Sequence, residues 1–192
     1  MATVRKGDQA VLLVVDVQTG VMHSAWESAR IIQNIGTVVE KARGQHIPVI
    51  WVQHTDEELV QGTPDWQIVP ELIPAEGEMR INKNYNSAFE QTSLEETLAS
   101  LGIAHIVLTG AATNWCIRAT AYAALERGYD LTLVGDAHTT EAISCKDGCI
   151  IAARDLIRDL NMAVAWLSYP GRTNSTVSAK DIVFDPYGKV TG

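Results

Sequence analysis

The sequence predicts a three-layer α/β/α sandwich, Rossmann-like, around a mainly parallel sheet of about six strands. Three observations predict it. Short continuous runs of Val, Leu and Ile, such as "AVLLVV" at 10–15, mark strands buried on both faces. Longer segments between them carry apolar residues at helical spacing. Strand and helix alternate along the chain, the pattern of right-handed crossovers with helices on both faces of a sheet.

The elements follow in order. After "AVLLVV", Asp16 stands at the carboxyl end of the first strand. Residues 28–43 place Ile31, Ile35, Val38, Val39 and Ala42 on one helical face, and Gly44 suits a C-terminal cap. "IPVIWVQH" reads as a second buried strand. Residues 55–80 contain Gly62, Pro64, Pro70, Pro74 and Gly77, a long irregular excursion of the kind that often carries function. "EMRINKNYNSAF" reads as a short strand passing into a loop. "SLEETLASLG" reads as a helix, with Ser93 and Glu96 in capping-box register. "AHIVLTG" reads as strand and 114–127 as helix, and "YDLTLVGDA" as strand with Asp136 at its end. Residues 141–160 read as helix and "AVAWL" as a last strand, with a loop from Tyr169 onward.

The chain of 192 residues is expected to form one domain, with a core over 10–168 and a tail at 169–192. Neither a repeat nor a linker interrupts it. The tail's apolar patch, "DIVF", suits either contact with a neighbouring subunit or cover for its own core.

Hydrophobic content of 46% and charged content of 20% are ordinary for a globular protein. The net charge of −8 argues against nucleic acid or an anionic membrane as the main partner. "MATVRKGDQA" lacks the apolar core of a signal peptide. No apolar run approaches the roughly 18 residues a membrane span needs. These features point to the cytoplasm. Three cysteines, Cys116, Cys145 and Cys149, cannot all pair, and they read as thiols in a reducing compartment. Cys145 and Cys149 are expected as neighbours on a helix face, too few ligands for a closed zinc site.

In open α/β sheets, ligands bind beyond the carboxyl ends of the strands. Those ends offer Asp16 and Gln18, Gln53 and His54, Lys83, the turn "GAATNWC", and Asp136 with His138. A carboxylate, a lysine and a cysteine converge on one rim. A thiol is a weak nucleophile until it loses its proton, and a nearby cation or helix N-terminus favours the thiolate. Asp16 is placed to take the thiol proton and return it to a leaving amine. Lys83 is placed to hold both anions. Amides in the turn before Cys116 are placed to face a developing oxyanion. Gln18, His54, Trp66, Asn84 and Trp115 are candidates for substrate contact. For Thr113, Asp136 and His138 a structural role is expected.

Three motifs, in order, carry a resemblance over roughly residues 10–165: "LLVVDVQTG" with Asp16, "INKNYNSAF" with Lys83, and "LTGAATNWCIRATAYAALERGYDLTLVGDA" with Cys116. The sequence resembles the isochorismatase-like cysteine hydrolase family, which includes nicotinamidases and other small-amide hydrolases. The resemblance implies a catalytic triad of Asp16, Lys83 and Cys116. It also implies a non-proline cis peptide at Ala111–Ala112, turning the Ala112 N–H to join the Cys116 N–H as an oxyanion hole. The implied reaction is hydrolysis of a small amide or ureide through a thioester. The metal-binding members carry Asp-x-His after the second strand. Here Gln53 and Thr55 stand at those positions, so a branch without metal or organic cofactor is implied. Family members are usually homo-oligomers, so a dimer or tetramer is expected. Two alternatives stay open: a vinyl-ether hydrolase of the isochorismatase type, and a binding protein with a vestigial triad.

Overall fold

A computed structural model describes residues 5–185 and 189–191. The first four residues of "MATVRKGDQA" and residues 186–188 and 192 of the tail lie outside the described residues. The central sheet has six strands, all paired in parallel. They are β1 (Gln9–Val15), β2 (Val49–His54), β3 (Met79–Lys83), β4 (Ile103–Ala111), β5 (Asp130–Thr139) and β8 (Asn174–Val177), in the spatial order β3-β2-β1-β4-β5-β8. The helices are α1 (Thr19–His23), α2 (Ser28–Gly44), α3 (Leu94–Ser100), α4 (Arg118–Glu126) and α5 (Ala153–Trp166).

Alternation along β1 explains the layers. Val11, Leu13 and Val15 face a core shared with α3, α4 and α5 through Leu94, Leu98, Ala121, Ala124, Leu160 and Val164. Ala10, Leu12 and Val14 face the opposite core, where Ile31, Ile35, Val38, Val39 and Ala42 of α2 pack. A strand buried on both faces cannot afford polar residues along its length, hence the unbroken aliphatic run. The strand order reverses between β1 and β4, and this switch point opens a crevice at their carboxyl ends.

Several expectations are corrected. The "AVAWL" run is the last turn of α5, not a strand. Val164 continues the helical row of Ile157 and Leu160, while Trp166 is exposed. The sixth strand comes instead from the tail, as β8. Of the two roles left open for the "DIVF" patch, its Ile182 and Phe184 take the second and cover the chain's own core, while Val183 is exposed. Ile182 and Phe184 are buried against the α2 core, and Val183–Phe184 form the short strand β9, paired with β10 (Val190–Thr191).

The helix expected over 141–160 begins only at Ala153. Before it, β6 (Ile143–Ser144) and β7 (Ile150–Ile151) form an antiparallel hairpin. Its turn is built on Gly148, at φ +85°, and on Asp147, whose Oδ1 accepts the Cys149 N–H at 3.0 Å. Cys145 and Cys149 therefore face each other across a turn, with the Cys145 N–H on the Cys149 carbonyl at 2.8 Å. The capping box at Ser93 does not form. The Leu94 amide bonds Thr92 Oγ1 at 3.2 Å instead, so the preceding threonine takes the role.

The 55–80 excursion is tied down rather than loose. Gly20 N–H reaches Asp65 O at 2.9 Å, Thr19 N–H reaches Gln67 O at 2.8 Å, and Val69 N–H reaches Val17 O at 3.1 Å. The excursion thus folds back over the carboxyl end of β1. Among the described residues, no helix is long and apolar enough to cross a membrane.

Candidate active site

The carboxyl ends of β1, β2, β3 and β4 each deliver one side chain to the same point. Asp16 follows β1 with φ +52°, in the left-handed region, and its amide bonds Val52 O of β2 at 2.8 Å. A non-glycine residue held there signals a backbone over-determined by its surroundings. Lys83 ends β3 and His54 ends β2. Cys116 sits in a π-helical turn, Thr113–Ile117, that joins β4 to α4. The Ile117 N–H spans back to Ala112 O at 3.1 Å and closes the wide turn. Gly110 allows β4 to approach β1 there. A Cβ on it would lie 1.9 Å from Val15 O. The Ala111–Ala112 peptide is cis.

The Lys83 ammonium is the hub. It lies 2.7 Å from Asp16 Oδ2, 3.2 Å from Cys116 Sγ and 3.1 Å from His54 Nδ1. An ammonium has three hydrogens and no acceptor, so these three partners exhaust it. The pair is dry, with side-chain exposures of 0% for Lys83 and 2% for Asp16. Apart from the Lys83 ammonium on Oδ2, neither Asp16 oxygen has a hydrogen-bond partner among the described residues.

Burial pushes the Asp16 carboxyl above the usual carboxylate range, against the opposing pull of Lys83. Burial also pushes the Cys116 thiol up to about 12, reinforced by the Asp16 charge and opposed by Lys83. The lowering expected from a neighbouring cation is therefore outweighed, and Cys116 rests as a thiol. Asp16, its carboxyl raised and next to the thiol, is suited to accept its proton.

Asp16, His54 and Cys116 offer donor atoms within 4.8 Å of one another. That set does not fit a metal ion, because the space between them is filled by the Lys83 ammonium.

Beside Cys116 lies a pocket of about 380 Å³. Ala111, Ala112 and Trp115 line it, together with Gly20, Val21, Ser24 and Ala25. Glu58, Leu59, Asp65, Thr140 and Glu141 complete it. Three carboxylates line it, with no Lys, Arg or His. None of the three forms an ion pair among the described residues.

The candidate residues divide. Asp16, Lys83, His54 and Cys116 come together in one cluster, and Trp115, 56% exposed, lines the pocket. Gln18, Trp66 and Asn84 do not line it. Gln18 is spent on backbone, donating to His54 O at 3.0 Å and Trp66 O at 2.9 Å and accepting His54 N–H at 2.8 Å. Trp66 donates from its indole to Thr55 Oγ1, and Asn84 donates to Thr55 O. Their work is to hold the excursion. His138 is buried, its ring between Thr113 Oγ1 and Asn161 Oδ1, each at 2.9 Å. It braces the turn that carries Cys116. Asp136 accepts the Ala179 N–H at 2.7 Å.

Two features escaped the sequence reading. One is Asp56, whose carboxylate accepts the Glu58 and Leu59 amides and faces the His54 ring. Its spacing from Glu58 and Leu59, the signature of a side chain capping its own loop, was the signal for its role. The lining carboxylates gave no signal, since acidic residues in a loop are common.

An isochorismatase domain model matches residues 10–163. A secreted isochorismatase effector of Verticillium dahliae is 31% identical over 180 residues, covering 90% of each chain. Maleamate amidohydrolase of Pseudomonas putida is 32% identical over 123 residues, 58% of each chain. The crystal structure of an isochorismatase from Pseudomonas putida superimposes with a TM-score of 0.79 at 27% identity, covering 91% of each chain. With this match spanning most of the chain, its parallel six-stranded sheet and the site at the switch point, the protein belongs to the isochorismatase-like cysteine hydrolase family.

Proposed function

We propose that the protein hydrolyses a small amide or ureide through a thioester on Cys116. The observation that carries the reading is the Lys83 ammonium bonded at once to Asp16 and Cys116. That arrangement couples a proton acceptor to a nucleophile through a buried ion pair. As Cys116 Sγ forms its bond to the acyl carbon, the Asp16 carboxylate takes the thiol proton, and no free thiolate needs to exist beforehand. The Lys83 ammonium stays between the two groups as negative charge passes from one to the other. The carbonyl oxygen, now an oxyanion, is held by the Ala112 and Cys116 amides. Collapse breaks the C–N bond, and Asp16 returns its proton to the departing nitrogen. Water then attacks the thioester with Asp16 as base, releasing the acid and restoring the thiol.

The pocket favours an acyl group that is neutral or positively charged, since a substrate carboxylate would meet Glu58, Asp65 and Glu141 without a lining cation. All three thiols are free, which suits a reducing interior such as the cytoplasm. A homo-oligomer remains part of this proposal, and light scattering measures it.

The test is a panel of small amides and ureides bearing negative, neutral and positive acyl groups. Mass spectrometry should find an acyl adduct on Cys116, and Cys116→Ala should abolish turnover. Pyruvate release from isochorismate, retained in Cys116→Ala, would instead establish an ether hydrolase. No turnover and no adduct across the panel would favour a binding protein.

A further inference from the structure

His54 is neither a pocket wall nor a surface side chain. Its ring stands between two charged groups, with Nδ1 3.1 Å from Lys83 Nζ and Nε2 3.1 Å from Asp56 Oδ2. The ammonium can only donate, so Nδ1 must be the acceptor. The ring proton therefore sits on Nε2 and is donated to Asp56. The Asp56 carboxyl is held below the usual range, chiefly by the Leu59 amide, so a carboxylate faces His54.

We infer that His54, oriented by Asp56, is a positioning residue that aims the Lys83 ammonium at Asp16 and Cys116. This rests on the reading of Cys116 as the nucleophile. A lysine side chain has many rotamers, and its ammonium is otherwise a point charge free to rotate. The acceptor at Nδ1 takes up the third hydrogen and leaves the other two directed at the catalytic pair. Without it, one hydrogen of a fully buried ammonium is orphaned, and the group turns to share its remaining bonds.

Asp56 does a second thing with its other oxygen. Oδ1 accepts the Glu58 and Leu59 amides at 2.9 and 2.7 Å. Glu58 and Leu59 line the pocket. One carboxylate thus fixes both the pocket wall and, through His54, the ammonium. Outer partners that orient an essential group in this way typically contribute about 10–100-fold to its function, a range known best from metal sites.

The replacements can be chosen by atom. Asn in place of His54 offers Oδ1 near the position of Nδ1 and keeps the acceptor for Lys83. Gln reaches toward Nε2 and loses it. His54→Gln is expected to lower kcat about 10–100-fold with KM within about threefold, while His54→Asn stays within about threefold of the parent protein. Asp56→Asn keeps an oxygen for the two amides but turns a donor on Nε2. The proton then moves to Nδ1, against Lys83, and kcat falls about tenfold or more.

A readout independent of substrate is alkylation of Cys116 by iodoacetamide at fixed pH, followed by peptide mass spectrometry. The rate should drop in His54→Gln and Asp56→Asn, recover in His54→Asn, and respond to none of them in a Lys83→Met background. Equal effects of Asn and Gln at position 54, in either readout, would overturn the proposal. So would a rise in KM with kcat intact, which would make His54 a substrate contact. If Cys116→Ala retains turnover, the thioester reading fails, yet the alkylation series still decides whether His54 aims Lys83.

Discussion

Two sets of charges lie side by side beneath the same crevice and behave as opposites. The inner set, Asp16, Lys83 and Cys116, is sealed from water, and every hydrogen of its ammonium is assigned. The outer set, Glu58, Asp65 and Glu141, lines an open pocket and has no cation to pair with among the described residues. Low dielectric magnifies an interaction and also magnifies the cost of leaving a partner unmatched. The inner set can therefore do chemistry but tolerates no editing. The outer set is screened and cheap to change, which suits a surface that sorts substrates.

The largest effect should come from removing the reacting atoms. Cys116→Ala is expected to cost on the order of 10⁴-fold or more in kcat/KM, and Asp16→Asn about as much, because groups that act as a unit fail as a unit. Single-turnover kinetics with detection of the acyl adduct checks both. If Asp16→Asn lost only a few-fold, some other base would have to take the thiol proton, and the contrast between the two sets would weaken.

Stability gives the next test. Lys83→Met leaves a buried carboxylate alone and should cost about 3–5 kcal/mol by urea denaturation. The double variant with Asp16→Asn also removes the stranded charge and should recover most of that loss. Additive losses would mean that the two residues are not energetically coupled in the fold.

The inner set was legible in the sequence and the outer set was not, for a physical reason. Strands buried on both faces must be aliphatic, so a charged residue at the end of such a strand, as with Asp16 after "AVLLVV", stands out. Lys83 and Cys116 stood out once the strand ends were aligned on one rim. The segment after β5 misled because short apolar runs read equally as strand or helix. "AVAWL" was assigned by its local composition, while Leu160 and Val164 show that it belongs to a helical row already begun. The CxxxC spacing suggested helix neighbours, whereas the Asp147–Gly148 turn between the cysteines was the stronger signal. Exposed pocket residues left no pattern at all, because solvent tolerates almost any polar residue there.

Buried histidines extend the inner set's intolerance to pH. His138 is buried and His105 half-buried, and loss of hydration lowers the pKa of each from 6.5 to about 4. The unfolded chain takes up these protons first as pH falls, so between about pH 6.5 and 4 the unfolded state binds more protons than the folded one. Stability is fully present above about pH 6.5 and drains away through that window, by up to about 1.4 kcal/mol per pH unit for each histidine. Denaturation midpoints at pH 7.5, 6 and 5 measure the slope. A flat profile would mean that the buried ring that braces the Cys116 turn is not sealed from solvent.

The smallest effect should come from the outer set. Glu58→Gln and Glu141→Gln each remove one exposed charge from the pocket wall, and exposed charge pairs are worth roughly 0–1 kcal/mol. Each is expected to raise KM for a positively charged amide by about two- to fivefold, with kcat and neutral amides unaffected. The effect should shrink as salt shortens the screening length to a few ångströms near 1 M. Competition kinetics between a charged amide and its neutral isostere, at low and high salt, reads the difference directly. A change in kcat would place the wall inside the catalytic set after all. Improved turnover of an anionic amide in both variants would strengthen the division, because only a wall that sorts by charge gains a new substrate when its charge is taken away.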